Sequence, residues 1–360
     1  MKRSSLAIAI TLAALPVAVI AGAAGAPGFS DFRLVGYGSG YGSGSGSGST
    51  GSTGSGSCAS LAPDAFVTNV SSATVTPINT GTRTAGPPIP VGLHPVGIAI
   101  TPDGKTAYVA NIGSDTVTPI TIATCTARTP ITVGLNPEWI AITPDGKTAY
   151  VTNHGSGTVT PIDLATSTAG TPIPVGLSPR WIAITPDGKT AYVTDDNAGT
   201  GTVTPIDLAT STAGTQIPVG HIPQRIAITR DGKTAWVRSI VEVGNPTSVV
   251  DAVTPISTAT STTGTPIPIG PDSQDVAITP DGKTLYVVDR GVGTTPINIA
   301  SDTAGTPIPI GGAGWIAITP DGKTLYVSDA NSVIPVDVAT NTVLPAIPVG
   351  SDACQIAVVP

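Results

Sequence analysis

The stretch "PEWIAITPDGKTAYVTNHGSGTVTPIDLATSTAGTPIPVG" (137–176) is one unit of a repeat, and it decides the fold. Its first part, IAITPDGKTAYV or a close variant, begins at Ile98, Ile140, Ile182, Ile226, Val276 and Ile316. Each unit contains four short runs of β-forming residues, which we call strands A to D. In this unit they are predicted at Trp139–Thr143, Thr148–Asn153, Thr158–Leu164 and Thr171–Val175. Four-stranded units of about 40 residues are typical of a β-propeller.

The turn between strands A and B is the clearest local signal in the repeat. In Thr-Pro-Asp-Gly-Lys, proline presets the first turn position, aspartate suits the second, and glycine accepts the positive φ that follows. The sequence therefore predicts a tight A–B hairpin in each complete unit.

The two ends of the repeat array are incomplete in complementary ways. Residues 63–92 supply strands B, C and D with no strand A before them, whereas a further strand A at 355–359 has no strand B after it. Open edge strands invite aggregation. We therefore predict that 355–359 pairs with the strands in 65–90, which closes an all-β, seven-bladed propeller of four-stranded antiparallel blades.

The repeat resembles a known family. Tyr150-Val151-Thr152-Asn153 reads YVTN, it follows the PDGKT turn, and VTPID comes after it. These motifs resemble the YVTN family of β-propeller repeats, as in YncE-like proteins, over about 63–360. The resemblance implies a seven-bladed propeller that is commonly exported or on the cell surface, with lactonase-type propellers among its distant relatives. It implies no reaction, because propellers host many functions.

The N-terminal part differs in composition from the repeats. Residues 1–26 have a basic start, an apolar stretch and small residues near Ala23, which predicts a signal peptide or an uncleaved membrane anchor. Residues 27–62 form a Gly/Ser-rich flexible linker, and 63–360 form the propeller. We therefore expect a secreted or cell-surface protein, which touches a membrane only through the N-terminal segment if that segment is uncleaved.

Charge and cysteine content narrow the classes of partner. Net charge is −7 and charged residues are 11% of the chain, so no nucleic acid is expected as a partner. Three cysteines in an exported chain suggest a disulfide. A Cys58–Cys354 pair remains open because 58–62 could double back, and Cys125 is expected to stay unpaired.

Antiparallel strands place the A–B and C–D turns on one face, the turn face, and the B–C and D–A loops on the other, the mouth face. The turn face repeats an Asp–Lys pair, which we interpret as turn chemistry and solubility. The unrepeated residues gather at the mouth face, where a ligand site is predicted. The candidate ligand-binding residues are Glu138, Trp139, His154, Arg180, Trp181, Asp195, Arg225, Arg238, Glu242, Asp275, Asp289, Arg290, Trp315 and Asp329.

Several of these residues have two interpretations. The tryptophans are either wedges between blades or stacking platforms for a ligand. The polar residue that ends each strand B either closes a turn or forms a polar ring. The segment 238–252 makes one B–C loop longer than the others. The longer loop is either a lid, a contact for a partner, or a change in length that the fold tolerates. Its Glu242 could act as a base beside Arg225 or Arg238.

The sequence predicts no catalytic residue, no metal ligand and no cofactor, although Ca²⁺ at 195–202 stays open. The favoured function is an exported, non-catalytic and monomeric scaffold that binds a protein, carbohydrate or small molecule. The alternatives are a lactonase-type or quinoprotein-type enzyme at the channel mouth and a self-associating cell-envelope component.

Overall fold

A computed structural model describes residues 58–197, 200–243, 248–290, 292–301, 303–310 and 313–360. The predicted leader and residues 27–57 of the predicted linker lie outside the described residues. Within the described ranges, no helix has the length and apolar character needed to cross a membrane.

Seven antiparallel sheets form the blades of the propeller, as the repeat predicted. A short helix, α1 (Cys58–Leu61), precedes the first strands. The first strands belong to a shared blade: β1 (Ala65–Asn69), β2 (Thr74–Asn79), β3 (Thr84–Ala85) and β4 (Ile89–Pro90). Blade 1 contains β5 (Pro95–Ile100), β6 (Thr106–Asn111), β7 (Thr116–Thr121), β8 (Thr126–Ala127) and β9 (Ile131–Thr132), with a 3₁₀ turn at Ile122–Thr124. Blade 2 contains β10 (Pro137–Ile142), β11 (Thr148–Asn153), β12 (Thr158–Asp163), β13 (Thr168–Ala169) and β14 (Ile173–Pro174).

The remaining blades repeat this order of strands. Blade 3 contains β15 (Pro179–Ile184), β16 (Thr190–Asn197), β17 (Thr200–Asp207), β18 (Thr212–Ala213) and β19 (Ile217–Gly220). Blade 4 contains β20 (Ile226–Ile228), β21 (Thr234–Val243), β22 (Ser248–Ser257), β23 (Thr262–Thr263) and β24 (Ile267–Pro268). Blade 5 contains β25 (Ser273–Ile278), β26 (Thr284–Asp289), β27 (Gly293–Asn298) and β28 (Thr303–Ala304). Blade 6 contains β29 (Ala313–Ile318), β30 (Thr324–Asp329), β31 (Ser332–Asp337), β32 (Thr342–Val343) and β33 (Ile347–Pro348), and β34 (Ala353–Val358) completes the shared blade.

The ring closes as predicted. Strand β34 pairs antiparallel with β1, with Ala65 opposite Val358 and Val67 opposite Ile356. The backbone N–H of Gln355 donates a hydrogen bond to the Thr68 hydroxyl at 3.1 Å, across 287 residues of sequence. The shared blade is thus built from both ends of the repeat array.

The outer strand of a blade is split into two pieces by proline. In blade 2, β13 and β14 both pair with β12, at Ile162–Asp163 and at Thr158–Val159. Between them lies Pro161, which has no N–H to donate to the ladder. Pro174 lies in the outer strand β14 itself, where proline hinders pairing of the exposed edge with another chain.

Aromatic residues of strand B fill the space between blades. They occupy the position of Tyr in YVTN and are 5% exposed or less: Phe66, Tyr108, Tyr150, Tyr192, Trp236, Tyr286 and Tyr326. Tyr286, for example, lies on blade 5 and packs with Ile316, Leu325 and Val336 of blade 6. Burial of these side chains against the next blade contributes hydrophobic stabilisation to the ring.

The A–B turns have the predicted geometry. In blade 2 the N–H of Gly146 bonds the Thr143 carbonyl at 2.8 Å, and Gly146 has a φ of +68°. The Asp145 carboxylate accepts a hydrogen bond from the Thr143 hydroxyl at 2.6 Å and another from the Lys147 N–H at 3.1 Å. The aspartate carboxylate therefore stabilises the A–B turn in which it lies, as the sequence indicated.

The disulfide differs from the prediction. Cys58 is bonded to Cys125, with their Cα atoms 5.8 Å apart, and the expectation that Cys125 stays unpaired was wrong. Cys354 is buried and lies in β34. The physical reason is that Cys58 precedes strand β1, which begins at the turn face, and Cys125 follows β7 at the same face. The covalent link joins the segment before the shared blade to blade 1.

Candidate functional site

The mouth end of strand A carries a bulge that shapes the site. In blade 2, Pro137 is opposite Asn153 and Trp139 is opposite Thr152, which leaves Glu138 as the extra residue. The same register shift occurs at this place in every blade except blade 4. A β-bulge interrupts the ladder of hydrogen bonds and re-aims the side chains beside it.

The threonine of YVTN takes over the bonds that the bulge removes. The N–H of Trp139 donates to the Thr152 hydroxyl at 3.0 Å, and this hydroxyl donates to the Arg180 carbonyl of blade 3 at 2.7 Å. Thr194 makes the equivalent bonds, to Trp181 of its own blade and Gln224 of the next. The hydroxyl thus links neighbouring blades at the channel.

One position per blade faces the channel, and in every blade except blade 4 it lies just after the bulge. These equivalent positions are Gly97, Trp139, Trp181, Arg225, Asp275, Trp315 and Gln355. At Gly97 a Cβ atom would lie 2.5 Å from the Glu138 carbonyl oxygen, so only glycine fits there. We call this set the channel ring.

The three tryptophans of the channel ring stack on one another. Their ring centroids are 4.6 Å apart for Trp139 and Trp181, 5.4 Å for Trp181 and Trp315, and 6.3 Å for Trp139 and Trp315. Trp315 belongs to blade 6, which is not a neighbour of blades 2 and 3, so the contact crosses the channel. The tryptophans therefore contact one another both between the neighbouring blades 2 and 3 and across the channel to blade 6, and the aromatic residues of strand B also fill the space between blades.

Arg225 lies over all three indole rings. Its guanidinium carbon is 4.1 Å from the Trp139 centroid, 4.7 Å from that of Trp181 and 5.0 Å from that of Trp315. One terminal nitrogen donates a hydrogen bond to one carboxylate oxygen of Asp275, and its Nε lies in ion-pair contact with the other oxygen. The two side chains are 8% and 0% exposed. A bidentate pair in contact with aromatic faces is the setting in which a buried arginine is stabilised.

Burial has the largest effect on the pKa of the Asp275 carboxyl. It raises the pKa of Asp275 to about 6, although the charge of Arg225 and the N–H groups of Ile316 and Val276 act in the opposite direction. The N–H of Ile316 bonds this carboxylate at 2.8 Å, across the boundary to blade 6. Gln355 makes the same kind of link, because its amide oxygen accepts from Ile98 of blade 1 at 2.6 Å.

A second group of charges lies at the mouth of blades 2 and 3. The Arg180 guanidinium is 4.0 Å from a Glu138 carboxylate oxygen and 3.8 Å from one of Asp196. Burial raises the pKa of Glu138 to about 7, and Arg180 opposes that rise. His154 lies in the B–C loop of blade 2. Burial and the charge of Arg180 lower the pKa of His154, whereas the charge of Asp196 raises it. We call these four residues the mouth cluster.

The polar residues that end strand B are buried in every blade except blade 6, and the side chains described below bond within their own blades. Asn153 donates to the hydroxyls of Thr158 and Thr160 at 3.1 and 2.8 Å. Asp195 takes the place of this asparagine in blade 3 and accepts a bond from the Thr204 hydroxyl. Burial raises the pKa of Asp195 to about 7, and bonds from Thr204 and Gly176 lower it. Asp289 accepts from Ser273 at 2.6 Å. These contacts support the interpretation as turn-closing residues.

The long hairpin of blade 4 does not form the arrangement suggested for Glu242. Arg238 pairs with Asp251 at 2.6 Å, with side chains 6% and 9% exposed, and Arg225 is held by Asp275. Glu242 lies 3.5 Å from the His221 imidazole and is 56% exposed. Both arginines therefore have other partners, because Asp275 reaches Arg225 from blade 5 and Asp251 reaches Arg238 from the paired strand β22.

The remaining predicted residues lie apart from these groups. Arg290 is exposed beside the Asp272 loop, and Asp329 is partly buried at the end of β30 opposite Ser332. No cluster of three or more metal-ligating side chains occurs among the described residues. Gln355 and Asp251 were missed by the sequence analysis. Gln355 could have been found, since it aligns with Trp139 in the repeat.

Comparisons with known proteins support the fold. No family model matches the sequence, and no curated protein is significantly similar to it.

Among solved structures, hydrazine synthase from Kuenenia stuttgartiensis is 26% identical with a TM-score of 0.68, covering 80% of this chain and 92% of that chain. A functionally unknown protein from Desulfotomaculum acetoxidans is 18% identical with a TM-score of 0.66, covering 81% of this chain and 99% of its own. A putative 6-phosphogluconolactonase from Bacteroides fragilis is 19% identical with a TM-score of 0.63, covering 82% and 97%. The likeness is one of fold, and the YVTN resemblance stays a prediction.

Proposed function

We propose that this chain is an exported, non-catalytic β-propeller that binds a partner through its mouth face. The observation that carries the proposal is that the buried ionisable groups of the channel are held by one another. Arg225 and Asp275 form a bidentate pair covered by indole rings, and Arg238 is paired with Asp251. Groups so placed stabilise the ring, which leaves the exposed residues of the mouth face to meet a partner.

Export is supported by two features. The composition of residues 1–26 is that of a secretory leader. Cys58 and Cys125 lie at disulfide distance, and structural disulfides persist in oxidising compartments outside the cytoplasm.

A ligand panel tests the proposal with the full-length chain. Protein, glycan and small-molecule probes are screened by thermal shift and calorimetry against the wild type and two variants. One variant, Arg290→Ser/Asp272→Ser, alters the mouth face; the control, Lys283→Ser/Asp281→Ser, alters the turn face of the same blade. Binding weakened by the first pair alone supports the proposal. Binding weakened only by the second pair, or turnover of any probe, contradicts it.

An enzyme with its site at the mouth cluster is the second candidate. A carboxyl group with a pKa near 7 is suited to general acid–base chemistry at neutral pH. Glu138, with Arg180 and His154 beside it, could activate water toward a lactone, the chemistry named for one structural neighbour. A panel of lactones is assayed with wild type, Glu138→Gln and the turn-face control Asp145→Asn. Turnover lost only in Glu138→Gln establishes the enzyme.

A self-associating envelope component is the third candidate, for which the low charge content and the Gly/Ser-rich linker are the supporting observations. Cell fractionation followed by sizing of the released protein tests it. Large assemblies retained in the envelope support it, and a monomer in the medium contradicts it.

A further inference from the structure

The mouth face carries an apolar rim. Of the described residues, the large apolar side chains that remain substantially exposed are, in chain order, Leu93 (57%), Leu135 (56%), Leu177 (63%), Val249 (58%), Val292 (42%) and Val343 (42%). Leu93, Leu135 and Leu177 lie in the D–A loops that lead into blades 1 to 3, and Val292 lies in the B–C loop of blade 5. Val249 lies at the B–C end of β22 in blade 4, so all five are at the mouth face. Val343 is on the outer strand of blade 6. Scattered single apolar residues are ordinary, but these five recur on consecutive blades and on one face of the ring.

The leucines are held in place before any partner arrives. The Leu93 N–H donates to the Ser114 hydroxyl at 3.0 Å, and the Leu93 carbonyl accepts from Gly113. The Leu135 N–H donates to Ser156 at 2.6 Å, and the Leu177 N–H donates to the Asn197 side chain at 2.6 Å. Each leucine-bearing loop is thus tied to the B–C hairpin of its own blade. A preorganised surface loses little conformational entropy on binding.

The charge around the rim is acidic. The carboxylates at the mouth that retain exposure outnumber the guanidinium groups that do. The carboxylates are Asp115, Asp196, Glu242, Asp272, Asp329 and Asp352, and the guanidinium groups are Arg180 and Arg290. A partner that carries positive charge is therefore attracted and oriented by this face.

We propose that the apolar rim docks a segment of a partner protein that combines aliphatic side chains with lysine or arginine. This inference rests on the proposed function and names its partner class. The acidic rim repels an anionic lipid surface and the mouth face of a second copy, since both carry negative charge. A sugar prefers an exposed aromatic face, whereas the channel tryptophans Trp139 and Trp181 are each 7% exposed.

A random 12-residue peptide display library tests the inference on the immobilised full-length chain. The variant Leu93→Ser/Leu135→Ser/Leu177→Ser removes part of the rim, and Val343→Ser is the matched control away from the mouth. The substituted side chains are exposed, so the variants keep the fold, which circular dichroism and the unfolding midpoint check. Enriched peptides are then synthesised, and their affinities are measured by calorimetry at low and high salt.

The expected result is enrichment of peptides with aliphatic residues and net positive charge. Their affinity falls at least ~10-fold in the triple leucine variant, is unchanged in Val343→Ser, and weakens with salt. Peptides that bind wild type and the leucine variant equally, but lose affinity in Arg290→Ser/Asp272→Ser, overturn the docking rim and leave the proposed function standing. Acidic or purely polar peptides, leucine-dependent self-association of the chain, or leucine-dependent binding to phosphatidylglycerol vesicles also overturn it. Binding that depends on no mouth-face residue overturns both.

Discussion

The turn face and the channel both carry ion pairs, and the two kinds of pair could hardly differ more. On the turn face, Lys189 and Asp187 are two residues apart in sequence and are 81% and 56% exposed. In the channel, Arg225 and Asp275 are 50 residues apart and are 8% and 0% exposed. The Lys189–Asp187 pair lies within one turn, so each copy of the repeat can form it. The Arg225–Asp275 pair needs matching residues from two different blades, so duplication of one repeat does not reproduce it.

The contrast between the two ion pairs predicts that substitution of Asp275 causes the largest loss of stability. In Asp275→Ala the Arg225 guanidinium stays buried without its partner, and we expect a loss of about 3–5 kcal/mol in the free energy of unfolding. Urea denaturation measures it. The double variant Arg225→Met/Asp275→Leu removes both charges and is expected to lose much less. A loss below about 1 kcal/mol in the single variant would show that the pair is not needed.

The next effect concerns the buried carboxyl of Asp195 and depends on pH. Burial raises its folded-state pKa to about 7, above the ordinary value of an aspartate carboxyl. The folded protein therefore keeps a proton that the unfolded chain releases, and stability falls as pH rises from about 4 to about 7. Asp195→Asn removes this fall, which we expect to stabilise the protein at pH 8 by up to roughly 4 kcal/mol, with little change at pH 4.

Blade 2 supplies the matched control for that prediction, because Asn153 already occupies the equivalent site. Asn153→Asp should acquire the pH dependence that Asp195→Asn loses. Unfolding midpoints measured from pH 4 to pH 8 decide the matter, and parallel pH profiles for wild type and Asp195→Asn would contradict the assignment.

A smaller effect is expected where the Thr152 hydroxyl links blades 2 and 3. Thr152→Val keeps the shape but removes both hydrogen bonds, which leaves the Trp139 N–H and the Arg180 carbonyl without this partner. We expect a loss of about 1–3 kcal/mol. Blade 5 naturally has Val288 at this position, so Val288→Thr is the reciprocal variant and should change stability less. Equal effects of the two substitutions would rule out the linking role.

The smallest effect should lie on the turn face. Lys189→Ala removes an exposed ion pair with Asp187, and we expect a change within about 0.5 kcal/mol. The same measurement with Asp187→Ala should show a larger loss, because Asp187 also accepts bonds from Thr185 and the Lys189 N–H at 2.6 and 3.1 Å. A large effect of Lys189→Ala would remove the contrast between the two faces.

Features that the repeat copies could be predicted from the sequence. The PDGKT turn, the blade number and the pairing of β34 with β1 follow from local turn chemistry and from counting strands. The sorting of loops into two faces follows from antiparallel pairing. That sorting also placed Cys58 and Cys125 at the same face, so their pairing was within reach of the same geometry.

Features that depend on contacts across the ring could not be predicted. Nothing in the sequence near Trp315 indicates that its indole stacks on Trp139 and Trp181 of distant blades. The bulge at Glu138 leaves no mark in the residue pattern, although it re-aims the side chains of the site. Arg225 and Asp275 are aligned positions of two blades, and only the curvature of the ring brings their side chains together. The sequence therefore predicted which residues lie on the mouth face, but not which of them contact one another.

The shared blade has a consequence for how the protein is made. Strand β1 is synthesised early, yet one of its edges has no partner until residues 353–358 emerge. Over that interval its backbone groups are open to pairing with another nascent chain, and the long-range closure itself is slow. The Cys58–Cys125 bond needs only blade 1, which is complete much sooner, so oxidation can hold the waiting strand beside its neighbour before the last strand arrives.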